Sequence, residues 1–146
     1  MKTAQWVGFP LLALALACGC SSFNRDWKKA AAEPVPANSM TGRWEGTWTS
    51  GSNGHTGTLR CLMSKTNETT YLARYRATYA KILSFSYTVP LMVEPHFDGW
   101  EFSGEADLGK AAGGAYYYEG RATTTNFFST YKAKSDHGVF EMKRPK

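Results

Sequence analysis

Leucine, isoleucine and valine are scarce after residue 20 of this 146-residue chain, and no later stretch supports a helix of normal length. A helical bundle is therefore excluded, and the core falls to the aromatic residues, 14% of the sequence. The one long apolar run, Trp6–Ala17, falls short of the about 20 residues a membrane-spanning helix needs. No Cys-x-x-Cys, His-Glu-x-x-His or Gly-x-Ser-x-Gly occurs, and there is no Walker or dinucleotide loop. A catalytic or metal site would have to be assembled from scattered residues, and no cofactor is expected. The formal charge is +5, with lysine and arginine dispersed and Arg74 and Arg76 the only close strand pair. Such dispersal suits anionic lipid heads or polymers. It lacks the basic stripe with stacking aromatics that a nucleic-acid partner requires.

What is present begins at the N-terminus. Met1-Lys2 precedes the apolar run, and a polar, proline-containing segment follows it. That order is a secretory signal. The junction Cys18-Gly19-Cys20-Ser21-Ser22 resembles the lipobox of bacterial lipoproteins, Leu-Ala-Gly-Cys in its usual form. Cys20 follows Gly19 as in that pattern and is favoured, although Ala17 stands where leucine is usual. Cys18, behind Ala15-Leu16-Ala17, is the alternative, and those residues also suit ordinary signal peptidase. The resemblance implies that the mature N-terminal cysteine carries acyl chains such as palmitate, which hold the protein to a membrane. Ser21, with no Asp after the cysteine, resembles an outer-membrane address, facing the periplasm, in a two-membrane bacterium. If Cys20 is acylated, Cys61 is the lone remaining thiol and is expected to be buried as a small apolar residue. Acylation at Cys18 leaves a Cys20–Cys61 bridge open.

The chain divides into a signal peptide, 1–19, a tether, 20–41, and one domain, 42–146. Within the tether, Asn24 to Glu33 reads either as a short helix capped by Asn24 and stopped by Pro34 and Pro36, or as a linker. Trp27 either meets lipid or packs on the domain.

After Gly42 the hydrophobic period becomes two. Trp44, Gly46 and Trp48 share one face of the first strand. Leu59, Cys61 and Met63 share a face of the second, and Tyr71, Ala73, Tyr75, Ala77 and Tyr79 of the third. The run from Leu83 to Val93 contains Pro90, which predicts a bend or an unpaired edge. Trp100, Phe102 and Ala106 follow, then Tyr116 and Tyr118, then Phe127 and Tyr131, then Phe140 and Met142 after Asp136-His137-Gly138. Short turns such as Asn53-Gly54 and Asp98-Gly99 join them. Eight sequential strands predict an all-β, eight-stranded antiparallel up-and-down meander barrel, with an open or split sandwich as the alternative.

The segment Gly42-Arg43-Trp44-Glu45-Gly46-Thr47-Trp48 resembles the Gly-x-Trp first-strand signature of the calycin group, which includes lipocalins, fatty-acid-binding proteins and avidins. The closing Asp136–Met142 is similar to the last strands of small bacterial barrels of that kind. The resemblance implies an up-and-down barrel with a ligand cup. The biotin-contacting residues of avidins have no counterpart, and no binding residues carry over.

Two readings of the aromatic interior follow. Either Trp44, Trp48, Tyr75, Tyr87, Trp100, Tyr116, Tyr118 and Tyr131 line a cup for a small apolar ligand, or aromatics fill the barrel around Gly46, Gly57, Gly104 and Gly120. The first predicts a non-enzymatic binding barrel whose cup opens away from the membrane. The second predicts a structural lipoprotein that recognises another envelope protein. In a meander, alternate loops share an end, so His55 could approach Asp136 and His137, which makes the three weak metal or acid–base candidates. The bland reading makes them solvated turn residues. Glu105 and Asp107, a carboxylate pair at i and i+2, are expected on a solvated outer face.

Overall fold

A computed structural model describes residues 22–146 of the chain. The signal segment 1–19 and both candidate acylated cysteines, Cys18 and Cys20, lie outside the described residues. Eight antiparallel strands, β1 (Gly42–Ser50), β2 (Thr56–Lys65), β3 (Thr70–Tyr79), β4 (Leu83–His96), β5 (Gly99–Asp107), β6 (Ala115–Ala122), β7 (Asn126–Lys132) and β8 (His137–Lys143), pair in chain order. The pairing of β1 with β8 closes the barrel. The sandwich alternative is thereby excluded, and closure removes the free edges of the first and last strands.

The register fixes how wide the barrel is. Followed from Trp48 through Gly57 and Tyr79, it reaches Leu83 of β4. Followed the other way through Phe140, Ser129, Gly120 and Phe102, it reaches Val93, ten residues further along the same strand. With strand spacings of about 4.8 Å and a rise of about 3.3 Å per residue, that stagger tilts the strands by about 40°. The backbone radius is then about 8 Å, room for interlocked side chains or for one small ligand.

The two ends differ. At the end where β1 begins, the core is sealed. Trp44 and Met40 are fully buried, and the Trp44 indole N–H donates to the Met40 carbonyl at 2.9 Å. The Arg144 guanidinium lies 4.0 Å from the Trp44 ring centroid. It donates to the carbonyls of Thr41 (2.7 Å), Ser39 (2.8 Å) and Arg43 (3.2 Å). A planar fork with several donors is the group that can satisfy so many carbonyls at once. Gly42, with φ +101°, turns the chain from Met40 into β1 in a conformation that other residues rarely adopt. Above this floor Leu59, Cys61, Ala73, Val89, Leu91 and Phe127 pack solidly. Gly57 and Gly120 do make room for rings: an added Cβ would stand 2.6 Å from the Trp48 indole nitrogen and 2.7 Å from the Phe102 ring, respectively. At both positions the neighbouring strand's carbonyl, of Thr78 or Phe128, is closer still. These glycines therefore also let strands approach.

Pro90 marks a discontinuity. Its strand pairs with β3 along Leu83–Met92, but with β5 only along Leu91–His96. The residues of β4 from Leu83 to Pro90 have no register partner on β5, so the β4–β5 ladder is slit from the open rim down to the proline, and residues of the 108–114 loop stand there instead. The unpaired edge expected at Pro90 is present, because a residue without an N–H cannot extend the ladder. At the rim, Ala80 (φ 52°) and Lys81 (φ 65°) form a tight turn in left-handed backbone closed by Ile82 N–H to Tyr79 O at 3.3 Å. Two successive non-glycine residues in that region are strained. Their turn presents Ile82, 82% exposed, at the lip.

Two further elements are described, a short 3-10 turn (Lys110–Ala112) between β5 and β6 and a helix, α1, over residues 22–31. The helix packs on the outer wall of β1–β3. Trp27 is buried there between the guanidinium groups of Arg43 (5.3 Å) and Arg60 (5.1 Å), and Phe23 lies under Arg74 at 5.3 Å. Asp26 pairs with Arg74 at 2.7 Å. Trp27 thus packs on the domain. Asn24 is not the cap: it sits inside the helix, and its side-chain oxygen accepts from Arg76 at 2.7 Å. A long-range partner has claimed the residue that local spacing assigned to the helix start.

Candidate functional site

The interior opens at the end formed by the loops 51–55, 80–82, 108–114 and 133–136. A cavity of about 540 Å³ occupies the upper barrel. Its wall comes from Trp48 of β1, Ala77 of β3, Phe85 and Tyr87 of β4, Tyr116 and Tyr118 of β6, Tyr131 of β7 and Phe140 of β8. Leu108, Ala111 and Ala112 of the β5–β6 loop complete it on the slit side, and Asp136 adds a single carboxylate. The barrel is therefore neither wholly filled nor wholly hollow. It has a packed lower storey and an aromatic cup above.

Of the eight aromatic candidates, five line the cup: Trp48, Tyr87, Tyr116, Tyr118 and Tyr131. The other three do not. Trp44 is the sealed floor beneath Arg144. Trp100 pairs with Pro95 and Ala122 at the closed end, where it packs partly buried against the core and borders a second hollow. Tyr75 lies below the cup, fully buried, packed against the cup residues Phe140 (5.2 Å), Tyr87 (5.4 Å) and Tyr118 (6.3 Å). Its hydroxyl is the one buried side-chain polar atom among the described residues without a hydrogen-bond partner. A buried hydroxyl left unpaired costs free energy, and such an atom next to a cavity is capacity for a polar partner.

The rings form a continuous lattice. Tyr116 meets Tyr131 at 6.2 Å and Tyr118 at 6.4 Å, Phe140 meets Tyr131 at 5.1 Å, and Phe85 meets Tyr87 at 6.1 Å. Burial pushes the phenols of Tyr75, Tyr87, Tyr118 and Tyr131 above their ordinary range, so all four stay protonated and neutral. Burial raises Tyr116 too, helped by the nearby Asp136 charge.

Asp136 is held firmly. It accepts from the Ser50 hydroxyl at 2.6 Å and from its own neighbour's backbone, His137 N–H, at 2.9 Å through Oδ1, and from the Tyr131 hydroxyl at 3.1 Å through Oδ2. The two histidine rings have other partners: His55 lies tilted against Tyr79 at 5.1 Å, and the His137 ring meets the Ser52 hydroxyl at 3.0 Å. Among the described residues no group of three His, Cys, Asp or Glu side chains could hold a metal ion. Glu105 and Asp107 are exposed on the outer face, with Asp107 accepting from Gly109 N–H at 2.9 Å. Cys61 is free, fully buried and directly opposite Tyr75.

A second hollow, about 790 Å³, lies outside the barrel at the closed end. Glu101, Arg121, Glu141 and Lys143 give it a mixed charged wall, unlike that of the cup.

The fold and the cup together define a closed eight-stranded barrel with one sealed and one open end. Comparison with protein-family models, with curated proteins and with solved structures gives no match for the chain.

Proposed function

We propose that this protein is a non-enzymatic, lipid-anchored protein of the bacterial cell envelope that binds one small apolar ligand inside a calycin-like barrel. The cavity of about 540 Å³, walled by Trp48, Tyr87, Tyr116, Tyr118 and Tyr131, carries this reading. Its size falls within the about 300–1,000 Å³ of small-molecule sites, and its wall is aromatic with few polar groups, as such sites are. The signal segment and the lipobox resemblance at Cys20 support the anchor and a periplasm-facing outer-membrane location. The Gly42-x-Trp44 resemblance supports the calycin-like barrel.

The test uses the full-length chain in phospholipid nanodiscs, empty nanodiscs serving as the blank. The neutral aromatic probe N-phenyl-1-naphthylamine is expected to bind once per barrel and to quench tryptophan fluorescence. Ala77→Phe, which fills the cup, is expected to weaken that binding at least tenfold while the circular dichroism spectrum is retained. Equal uptake by both proteins, or uptake no greater than the blank, overturns the cup. The alternative, an interaction lipoprotein using the charged groove around Glu101 and Arg121, would then take its place, and crosslinked envelopes would yield its partner.

A further inference from the structure

We propose that the cup selects a ligand bearing one positive charge, an organic ammonium with an apolar body, over neutral and anionic molecules of the same shape. This rests on the reading of the cup as a binding site. Three observations carry it. First, among the described residues Asp136 is the only charged one in the cavity wall, and no described lysine, arginine or histidine lines it. An anionic guest would meet a carboxylate without a compensating cation, whereas a cation gains from it. Second, the wall is built from aromatic faces, which carry negative charge above and below the ring and attract ammonium groups, most strongly when water is excluded. Tyr116 and Tyr131 converge with rings 6.2 Å apart, and Tyr131 is the residue hydrogen-bonded to Asp136 Oδ2. Carboxylate and ring faces thus stand in one part of the cup. Third, Asp136 Oδ1 is occupied by two donors, but Oδ2 receives only the Tyr131 hydroxyl. An oxygen of a carboxylate accepts more than one hydrogen bond, so Oδ2 keeps room for a further donor or for a close cation.

The neutral tyrosines complete the arrangement. Phenols that remain protonated add hydroxyl dipoles without adding charge, so the net charge of the wall is that of Asp136 alone.

The experiment is a calorimetric titration of the full-length chain in nanodiscs of zwitterionic lipid. Three probes share one aromatic body: phenethyltrimethylammonium, 3-phenylpropanol and 3-phenylpropionate. The expected result is binding of the ammonium about tenfold tighter than of the alcohol, with the carboxylate weakest. Asp136→Asn keeps the size and much of the hydrogen bonding, and is expected to erase the preference for the ammonium over the alcohol. If the alcohol or the carboxylate binds as well as the ammonium, or if the preference survives in Asp136→Asn, the charge selection is overturned and the cup stands. If none of the three binds and N-phenyl-1-naphthylamine also fails, the cup itself falls, and the selection with it. The probe series on the unsubstituted chain decides the matter even if Asp136→Asn does not fold.

Discussion

Cys61 illustrates what a single residue discloses. Period-two alternation put it on the inner face, and the odd-thiol argument asked that it be buried; it is fully buried, and desolvation pushes its thiol well above the ordinary value. The thiolate is the reactive form, so Cys61 is expected to be inert in the folded protein. Iodoacetamide followed by peptide mass spectrometry would show the Cys61 peptide unmodified in buffer and modified in denaturant. Labelling in buffer would refute the burial. Asp136 shows the opposite case. Its turn position next to Gly138 was legible, but its role in the cup wall was not. That role depends on Ser50 reaching it from β1 and Tyr131 from β7, contacts made across 86 and 5 residues of sequence, respectively.

At the scale of the element, alternation carried all eight strands and their inward faces, because a half-buried strand must place every second residue in the core. Helix α1 was harder to read, since Asn24 and Asp26 find their partners Arg76 and Arg74 on β3, far away in sequence. Its docking is electrostatic as well as apolar. The guanidinium of Arg74, and then that of Arg25, holds the Asp26 carboxyl below its ordinary 3.8. A carboxyl depressed by folding contributes stability above its unfolded value, and that contribution is lost as pH falls through the lower folded value. Acidification from neutral pH to below about 3.8 is therefore expected to loosen α1, read as a change in the fluorescence of Trp27. Asp26→Asn should lack that step. A transition identical in both proteins would show that the Asp26–Arg74 pair does not hold the helix.

For the whole molecule, the order of strands and the grouping of loops at two ends were legible from the meander alone. The same grouping could have removed Trp44 and Trp100 from the ligand list, since both stand beside loops of the sealed end. The hollow itself was not legible. It arises from the ten-residue stagger and from the 108–114 loop, and neither follows from alternation. The seal depends on Arg144, two residues before Lys146. Arg144→Ala leaves three part-buried carbonyls without this donor and uncovers the Trp44 ring, and is expected to cost about 2 kcal/mol in urea unfolding. Arg144→Lys should recover little, because one ammonium cannot span carbonyls on Ser39, Thr41 and Arg43.

The slit above Pro90 changes what the cup can measure. A hoop closed all the way round accepts a guest by its full outline, while a collar open on one side gauges girth and ignores length. Here the break in the ladder falls between Phe85–Tyr87 and the loop that carries Ala111 and Ala112, so side-chain packing alone closes that side of the cup. A tail too long for 540 Å³ is expected to part that loop from the wall without breaking a single β4–β5 ladder hydrogen bond. Members of a homologous series that differ only in tail length would then compete on nearly equal terms, and the head group would do the sorting.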